Sequence, residues 1–227
     1  MDEMLQMPDG GTQRETAASW YRRFQASDYV TLLHLPFAGT LLAFTVIGAA
    51  MAPAVLADRL VLAMVAVFLA HQSSHYLDET RGRPWNTKIP RRTLLRLGAL
   101  FMVISLAIGV YLLVTVTPLL VLFFIPLIFF PVAYSLEPWN GLFHRPWNFG
   151  VSGGLVCLGS YFLQTGTVAL APLLMAVAIG IQCAFIIILY EKTKVEETRG
   201  LAWQTLKGII LIWLFVAMAM LLAGWIW

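Results

Sequence analysis

The chain has 227 residues, of which 59% are apolar and only 12% are charged. This balance excludes an ordinary soluble domain and indicates a single domain built within a membrane. The two cysteines, Cys157 and Cys183, fall in apolar runs without the paired spacing of a metal site or a redox motif. We therefore predict two buried thiols, no disulfide and no metal held by cysteine.

Residues 1–28 are polar and of mixed charge. They lack the apolar core of a cleavable signal peptide, and we interpret them as a cytoplasmic N-terminal tail. The segment 15–24 carries aromatic residues and arginines that suit the headgroup layer of a membrane. A short interfacial helix and a disordered tail are both consistent with this segment.

Seven apolar runs follow the tail, each close to the roughly 20 residues that a transmembrane helix needs. They predict an all-α, polytopic membrane helical bundle over residues 29–227, with about seven transmembrane helices. A tight turn at 116–118 separates the third run from the fourth, in which Pro126 and Pro131 predict a kink. The runs cover residues 30–51, 59–78, 94–115, 117–135, 149–165, 169–190 and 207–227.

Basic residues cluster on one side of the predicted bundle. They lie in the tail and in the loops between spans two and three, four and five, and six and seven, whereas Arg59 alone lies on the other side. The positive-inside rule therefore places the N-terminus and these three loops in the cytoplasm. We expect a multi-pass protein of the cytoplasmic membrane.

A polar segment recurs in the two halves of the chain. The sequence DETRG at 78–82, followed by WNT at 85–87, returns as EETRG at 196–200, followed by WQT at 203–205. This recurrence predicts an internal pseudo-repeat and one site built between the two halves. Ionisable groups at the end of a membrane helix are costly, which makes these residues functional candidates.

Two facing acidic clusters have the chemistry of a Mg²⁺ site, since Mg²⁺ prefers carboxylate oxygens and water and often bridges to phosphates. Neighbouring arginines and lysines would neutralise a diphosphate. The same residue types are also typical of solvated helix ends, and this alternative stays open. The predicted Mg²⁺ ligands are Asp78, Glu79, Glu196 and Glu197, and the predicted diphosphate-binding residues are Arg81, Arg83, Lys88, Lys192, Lys194 and Arg199.

The histidines of the second span indicate a different metal chemistry. His71, His75 and Asp78 are spaced i, i+4, i+7 and share one helix face. Two imidazoles and a carboxylate would suit Fe, Mn or Zn better than Mg²⁺. Hydrogen bonding within the bundle, or a general-base role for one histidine, is the alternative. His34 and His144 are interpreted as a helix-interface residue and a loop residue.

The glycine-rich start of the fifth span, at 150–154, predicts close packing between helices rather than phosphate binding. The loop before it contains RPWN at 145–148, which repeats RPWN at 83–86. Its prolines and tryptophans favour an ordered interfacial loop at the mouth of the bundle. An aromatic belt at the membrane surface would have the same composition.

The second span and the loop after it resemble the UbiA superfamily of intramembrane prenyltransferases. In that family an Asp-rich motif ends the second helix and leads into a loop with Arg-Pro and a short basic stretch. Here the segment 74–78, the pair Arg83-Pro84 and the segment 88–93 occupy that frame. Ser74 and His75 stand where the family has asparagine and aspartate.

The later part of the chain is also similar to this family. Glu191 and the acidic pair at 196–197 lie where the family has its second acidic motif, and Tyr134 with the glycine-rich fifth span resembles its middle. The resemblance implies a UbiA-like fold and an enzyme that transfers or cyclises a prenyl group. It further implies Mg²⁺ as cofactor, a prenyl diphosphate and a lipophilic acceptor as substrates, and His75 and Asp78 as catalytic residues.

Two other functions stay open. The first is a transition-metal membrane enzyme that uses His71, His75 and Asp78 on a lipid-soluble substrate such as a quinone or a carotenoid. The second is a non-catalytic membrane subunit of a larger complex. Both a homo-oligomer and a complex subunit are consistent with the sequence, and nucleic acid is not expected among the partners.

Overall fold

The computed structural model describes residues 28–82, 85–137, 141–193 and 198–226. Within these ranges the chain is helical and contains no strand, which confirms the predicted all-α class. The predicted N-terminal tail lies outside them, apart from Asp28. The helices are α1 (Asp28–Leu33), α2 (Leu35–Ala50), α3 (Ala57–Arg81), α4 (Arg91–Thr115), α5 (Val121–Leu136), α6 (Pro146–Thr165), α7 (Leu170–Thr193) and α8 (Arg199–Ile226).

Within the described ranges, six helical segments are long and apolar enough to cross a membrane. They are Asp28–Ala50, which joins α1 to α2, then α3, α4, Pro118–Leu136, α7 and Arg199–Ala223 in α8. A multi-pass membrane protein is therefore plausible on length and composition. The predicted run at 149–165 does form a helix, α6, but this helix is not among the six.

Helix α6 is largely enclosed by other helices. It packs against α2, α5 and α7, and buries residues along most of its length, including Asn148, Ser160 and Gln164. A helix surrounded by protein rather than lipid can carry polar side chains that bond to its neighbours. The Ser160 hydroxyl, for example, donates to the Thr45 carbonyl oxygen at 2.7 Å. Asn148 and Ser160 are thus accommodated inside the bundle by hydrogen bonds to neighbouring backbone carbonyls.

Glycines let α6 approach its neighbours at backbone distance. A Cβ atom placed on Gly48 of α2 would lie 2.0 Å from the carbonyl oxygen of Cys157, and one on Gly150 would lie 2.7 Å from that of Gly180. Any side chain at these positions would separate the helices. The close packing predicted for the glycine-rich run is therefore confirmed, and both Cys157 and Cys183 are buried as expected.

Arg59 stabilises the end of α6 opposite the basic loops. Its guanidinium donates to the Leu163 carbonyl oxygen at 2.9 Å, while the Leu56 backbone amide donates to the Gln164 side-chain oxygen at 2.9 Å. The last carbonyls of a helix have no partner within the helix. Arg59, the basic residue on the side of the bundle with few charges, thus supplies a hydrogen-bond donor to the end of α6.

The two repeated polar segments differ in local structure. In the first, Arg81 is the last residue of α3, and Trp85 and Thr87 lie in the loop that follows. In the second, residues 194–197 are outside the described ranges, Arg199 begins α8, and Trp203 lies within that helix. The similarity in sequence is therefore not matched by the same backbone conformation.

We expect Gly48→Ala to lower the thermal stability of the detergent-purified protein. Its methyl group would collide with the backbone of α6, and overpacking of this kind costs about 1–3 kcal/mol. Gly208→Ala on α8 is the matched control, because among the described residues no atom of another part of the fold lies within 4 Å of the added carbon. Equal melting temperatures for the two variants would contradict backbone contact between α2 and α6.

Candidate functional site

A polar cavity of about 420 Å³ lies at one end of the bundle. It forms where the ends of α3, α5 and α7 meet the starts of α2 and α6. Among the described residues, its walls combine acidic, basic and imidazole side chains. These are the carboxylates of Asp78, Glu137 and Glu191, the guanidinium of Arg81, and the imidazoles of His34, His75 and His144.

Three imidazole nitrogens converge beside this cavity. His75 Nε2 lies 3.0 Å from His71 Nε2 and 3.3 Å from His34 Nδ1, and all three atoms fall within 4.8 Å of one another. His71 and His75 are one turn apart on α3, as their spacing predicts. His34 comes from the junction between α1 and α2. The third member of the cluster is thus His34 rather than Asp78.

A break in the first membrane segment places His34. Its backbone is left-handed, with φ 44° and ψ 47°, a strained conformation for a residue other than glycine. Pro36 follows two residues later, and its ring cannot continue a helix from α1. The backbone amide of Phe37 donates to the His34 carbonyl. In a continuous helix this amide would donate to the Leu33 carbonyl, which therefore loses its usual donor. The buried side-chain amide of Gln72 donates to the Leu33 carbonyl at 2.9 Å instead.

Aromatic rings enclose the histidines on the side of the polar cavity. Phe37 stacks on His34 with ring centroids 4.4 Å apart. Trp85 meets the rings of both His75 and His34 edge-on, at 4.8 and 5.6 Å, and Tyr190 lies 6.0 Å from His34. These contacts pack aromatic surface against His34 and His75, both of which also line the polar cavity.

Glu79 is fully buried and holds the loop that carries Trp85. Its carboxylate accepts hydrogen bonds from the Trp85 amide at 3.1 Å, the Thr87 amide at 2.7 Å and the Thr87 hydroxyl at 2.8 Å. In the same loop the Lys88 amide donates to the Asp28 carboxylate at 2.7 Å. The loop is thereby attached to α3 and to the start of α1. Both carboxylate oxygens of Glu79 thus accept hydrogen bonds from the loop. Metal binding by Glu79 stays a prediction.

A second, apolar cavity of about 170 Å³ lies deeper in the bundle. His71 lines it, and Tyr134 and Phe149 line both cavities. Hydroxyl groups on its walls, such as those of Ser105 and Thr45, donate to backbone carbonyls. The wall therefore presents mainly hydrocarbon to an occupant, and an amphipathic molecule could place its two ends in the two cavities.

The far wall of the polar cavity is an ordered corner before α6. His144 stacks on Tyr134 with ring centroids 4.1 Å apart, and its Nδ1 lies 3.0 Å from the Glu137 carboxylate. The Asn148 side-chain amide donates to the Phe130 and Phe143 carbonyls. These contacts attach the described part of this loop to α5, whereas its predicted position at the membrane surface stays a prediction.

The structure brings some predicted site residues together and leaves others apart. His75, Asp78 and Arg81 line the polar cavity, together with Glu191. Lys88, Lys192 and Arg199 are exposed and are not among its lining residues. Four more predicted residues lie outside the described ranges, namely Arg83, Lys194, Glu196 and Glu197.

Sequence reasoning missed the role of His34. The sequence did contain a signal, because Pro36 predicts an interruption in an otherwise continuous apolar run and His34 lies two residues before it.

Comparison with protein-family models, curated proteins and solved structures finds no match for this chain. The chemistry of the site is therefore inferred from its own residues.

We expect Glu79→Ala to release the loop over the histidines. The substitution removes the acceptor of three hydrogen bonds, and a hydrogen bond to a charged group contributes about 1.5–3 kcal/mol. Amide hydrogen exchange in a peptide covering 85–90 should accelerate by at least ~10-fold. Thr87→Val removes only the hydroxyl donor and should give a smaller increase. Unchanged exchange in Glu79→Ala would contradict this role for Glu79.

Proposed function

We propose that this protein is a membrane-embedded enzyme that transfers or cyclises a prenyl group from a prenyl diphosphate. The observation that supports the proposal is the junction of the two cavities at Tyr134 and Phe149. One cavity is polar and carries charged side chains, whereas the other is walled by hydrocarbon. A prenyl diphosphate has the same division between a charged head and an apolar chain.

The polar cavity has residues suited to a diphosphate held through a metal ion. Asp78 on α3 and Glu191 on α7 face it from two helices, and Arg81 lies one turn after Asp78. In the proposed mechanism Asp78 and Glu191 would hold Mg²⁺, which would offset the negative charge of the diphosphate. Arg81 contacts the diphosphate directly. Cations around the leaving diphosphate stabilise the charge that develops as the carbon–oxygen bond breaks.

The apolar cavity suits the first part of the prenyl chain. Its volume of about 170 Å³ is similar to the roughly 150 Å³ of an engineered protein cavity that binds benzene. One or two isoprene units would fill it, and the rest of the chain would extend between helices toward the lipid. The allylic carbon would then lie near Tyr134, between the two cavities.

The proposal includes a UbiA-like topology with seven crossings. Helix α6 has 20 residues and would be about 30 Å long, enough to span the hydrocarbon layer. With α6 included, the ends of α3, α5 and α7 share the face on which we place the cytoplasm. A lipophilic acceptor would then enter from the bilayer.

Loss of either carboxylate should weaken binding of geranylgeranyl diphosphate. We expect Asp78→Asn and Glu191→Gln each to raise the Kd measured with Mg²⁺ by at least ~10-fold, equivalent to about 1.4 kcal/mol. Asp58→Asn is the matched control, because Asp58 is an exposed carboxylate at the opposite end of α3. Binding that is independent of Mg²⁺, or equally weakened in Asp58→Asn, would contradict the proposal.

A further inference from the structure

We propose that His34, His71 and His75 bind one divalent transition metal ion. The proposal depends on the convergence of their ring nitrogens and not on the identity of the lipid substrate. It also differs from the face of His71, His75 and Asp78 expected from the sequence, since the third ligand comes from the junction between α1 and α2 rather than from α3.

The three imidazoles cannot satisfy all their close contacts with hydrogen bonds. His75 Nε2 contacts both His71 Nε2 and His34 Nδ1, at 3.0 and 3.3 Å. A neutral imidazole nitrogen carries either one proton or one lone pair. A proton on His75 Nε2 can therefore form a full hydrogen bond with only one of its two neighbours. A metal ion between the rings would accept a lone pair from all three nitrogens at once.

The distances between the three imidazole nitrogens also suit a metal ion. Zinc–imidazole bonds are about 2.0–2.1 Å long, and tetrahedral geometry separates two such nitrogens by about 3.3 Å. The two short contacts of His75 are close to this value, and the remaining pair lies within 4.8 Å. Small rotations of the rings of His34 and His71 would bring the three atoms into place, with no movement of the helices.

The residues around the three histidines hold them in this arrangement. His34 occupies its position through a left-handed backbone break, and Gln72 supplies the Leu33 carbonyl with the donor that the break removes. Trp85 packs against His34 and His75 from the loop held by Glu79. Strain of this kind persists only where the rest of the fold supports it, and it is concentrated at functional sites.

The ligand set indicates the class of metal. Imidazole nitrogen suits zinc, iron, copper and nickel, whereas Mg²⁺ and Ca²⁺ prefer oxygen. Three histidines leave at least one coordination position open, as in catalytic zinc sites. Since His34 and His75 line the polar cavity, a ligand of the open position would come from there. Asp78 and Glu191 on the same walls would offset the charge of the ion.

Metal content of the full-length, detergent-purified chain tests the proposal. The protein is stripped with a chelator, incubated with Zn²⁺, desalted and measured by mass spectrometry. We expect one Zn²⁺ per wild-type chain, and at least ~100-fold weaker binding in His34→Ala, His71→Ala and His75→Ala, because loss of an outer-sphere partner alone costs 10–100-fold. Binding of Co²⁺ to the wild type should give the visible absorption of a tetrahedral site, which Zn²⁺ abolishes.

Two variants serve as controls for the ligand assignment. His144→Ala removes a histidine from the same cavity but outside the cluster, and Asp78→Asn removes the carboxylate expected from the sequence. His144→Ala should bind Zn²⁺ as the wild type does, whereas Asp78→Asn should still bind one Zn²⁺ per chain, with an affinity lowered less than in His34→Ala. Retention by His34→Ala together with loss in Asp78→Asn would overturn the assignment, as would equal loss in His144→Ala or a wild type that binds no Zn²⁺.

A direct stability measurement covers the case in which a histidine variant folds poorly. Zn²⁺ should raise the melting temperature of the wild type and of His144→Ala, because a ligand that binds only the native state stabilises it. It should not raise that of His34→Ala. A wild type whose melting temperature is unchanged by Zn²⁺ would also overturn the proposal. None of these measurements requires a diphosphate, so their failure is distinguishable from failure of the prenyl-transfer proposal.

Discussion

A backbone carbonyl without a hydrogen-bond donor is costly inside a membrane bundle, and the site depends on how this constraint is met at Leu33. The break at His34 takes the Leu33 carbonyl out of the helical pattern, and the buried amide of Gln72 satisfies it. Gln72 directly follows His71 on α3. The helix that presents two imidazoles therefore also supports the break that presents the third, and the histidine cluster and the helix interruption form one structural unit.

The enclosed helix α6 sets the spacing of the elements around this unit. Its contacts with α2 and α7 are made backbone to backbone, through Gly48 and through Gly150 with Gly180. Its first turn supplies Asn148, which fixes the corner beside the polar cavity, and Phe149, which lines both cavities. Small residues thus determine how far apart the walls stand, while larger polar and aromatic ones give those walls their chemistry.

Much of the architecture could be predicted because apolar runs and helical periodicity are local properties. Most helix ends, the close packing of the glycine-rich run and the proximity of His71 to His75 follow from short-range spacing, whereas α8 begins at Arg199, eight residues before the run predicted at 207–227. The pairing of His34 with His75 spans 41 residues and depends on a left-handed backbone, which periodicity does not encode. The hydrogen bonds from Trp85 and Thr87 to Glu79 could not be predicted for a similar reason, since they form only when the chain after α3 turns back toward this helix.

The attachment of Asp28 to the Lys88 amide has a consequence for ion choice. It anchors α1 to the loop that Glu79 holds, while α2 is anchored in the core, so both sides of the interruption at His34 are fixed. The backbone positions of the histidines are then set by the folded chain, and their imidazole rings are left to adjust to an occupant. The choice among ions at the proposed site would therefore rest on ring rotation and on ligand chemistry, since imidazole nitrogen suits zinc, iron, copper and nickel whereas Ca²⁺ prefers oxygen.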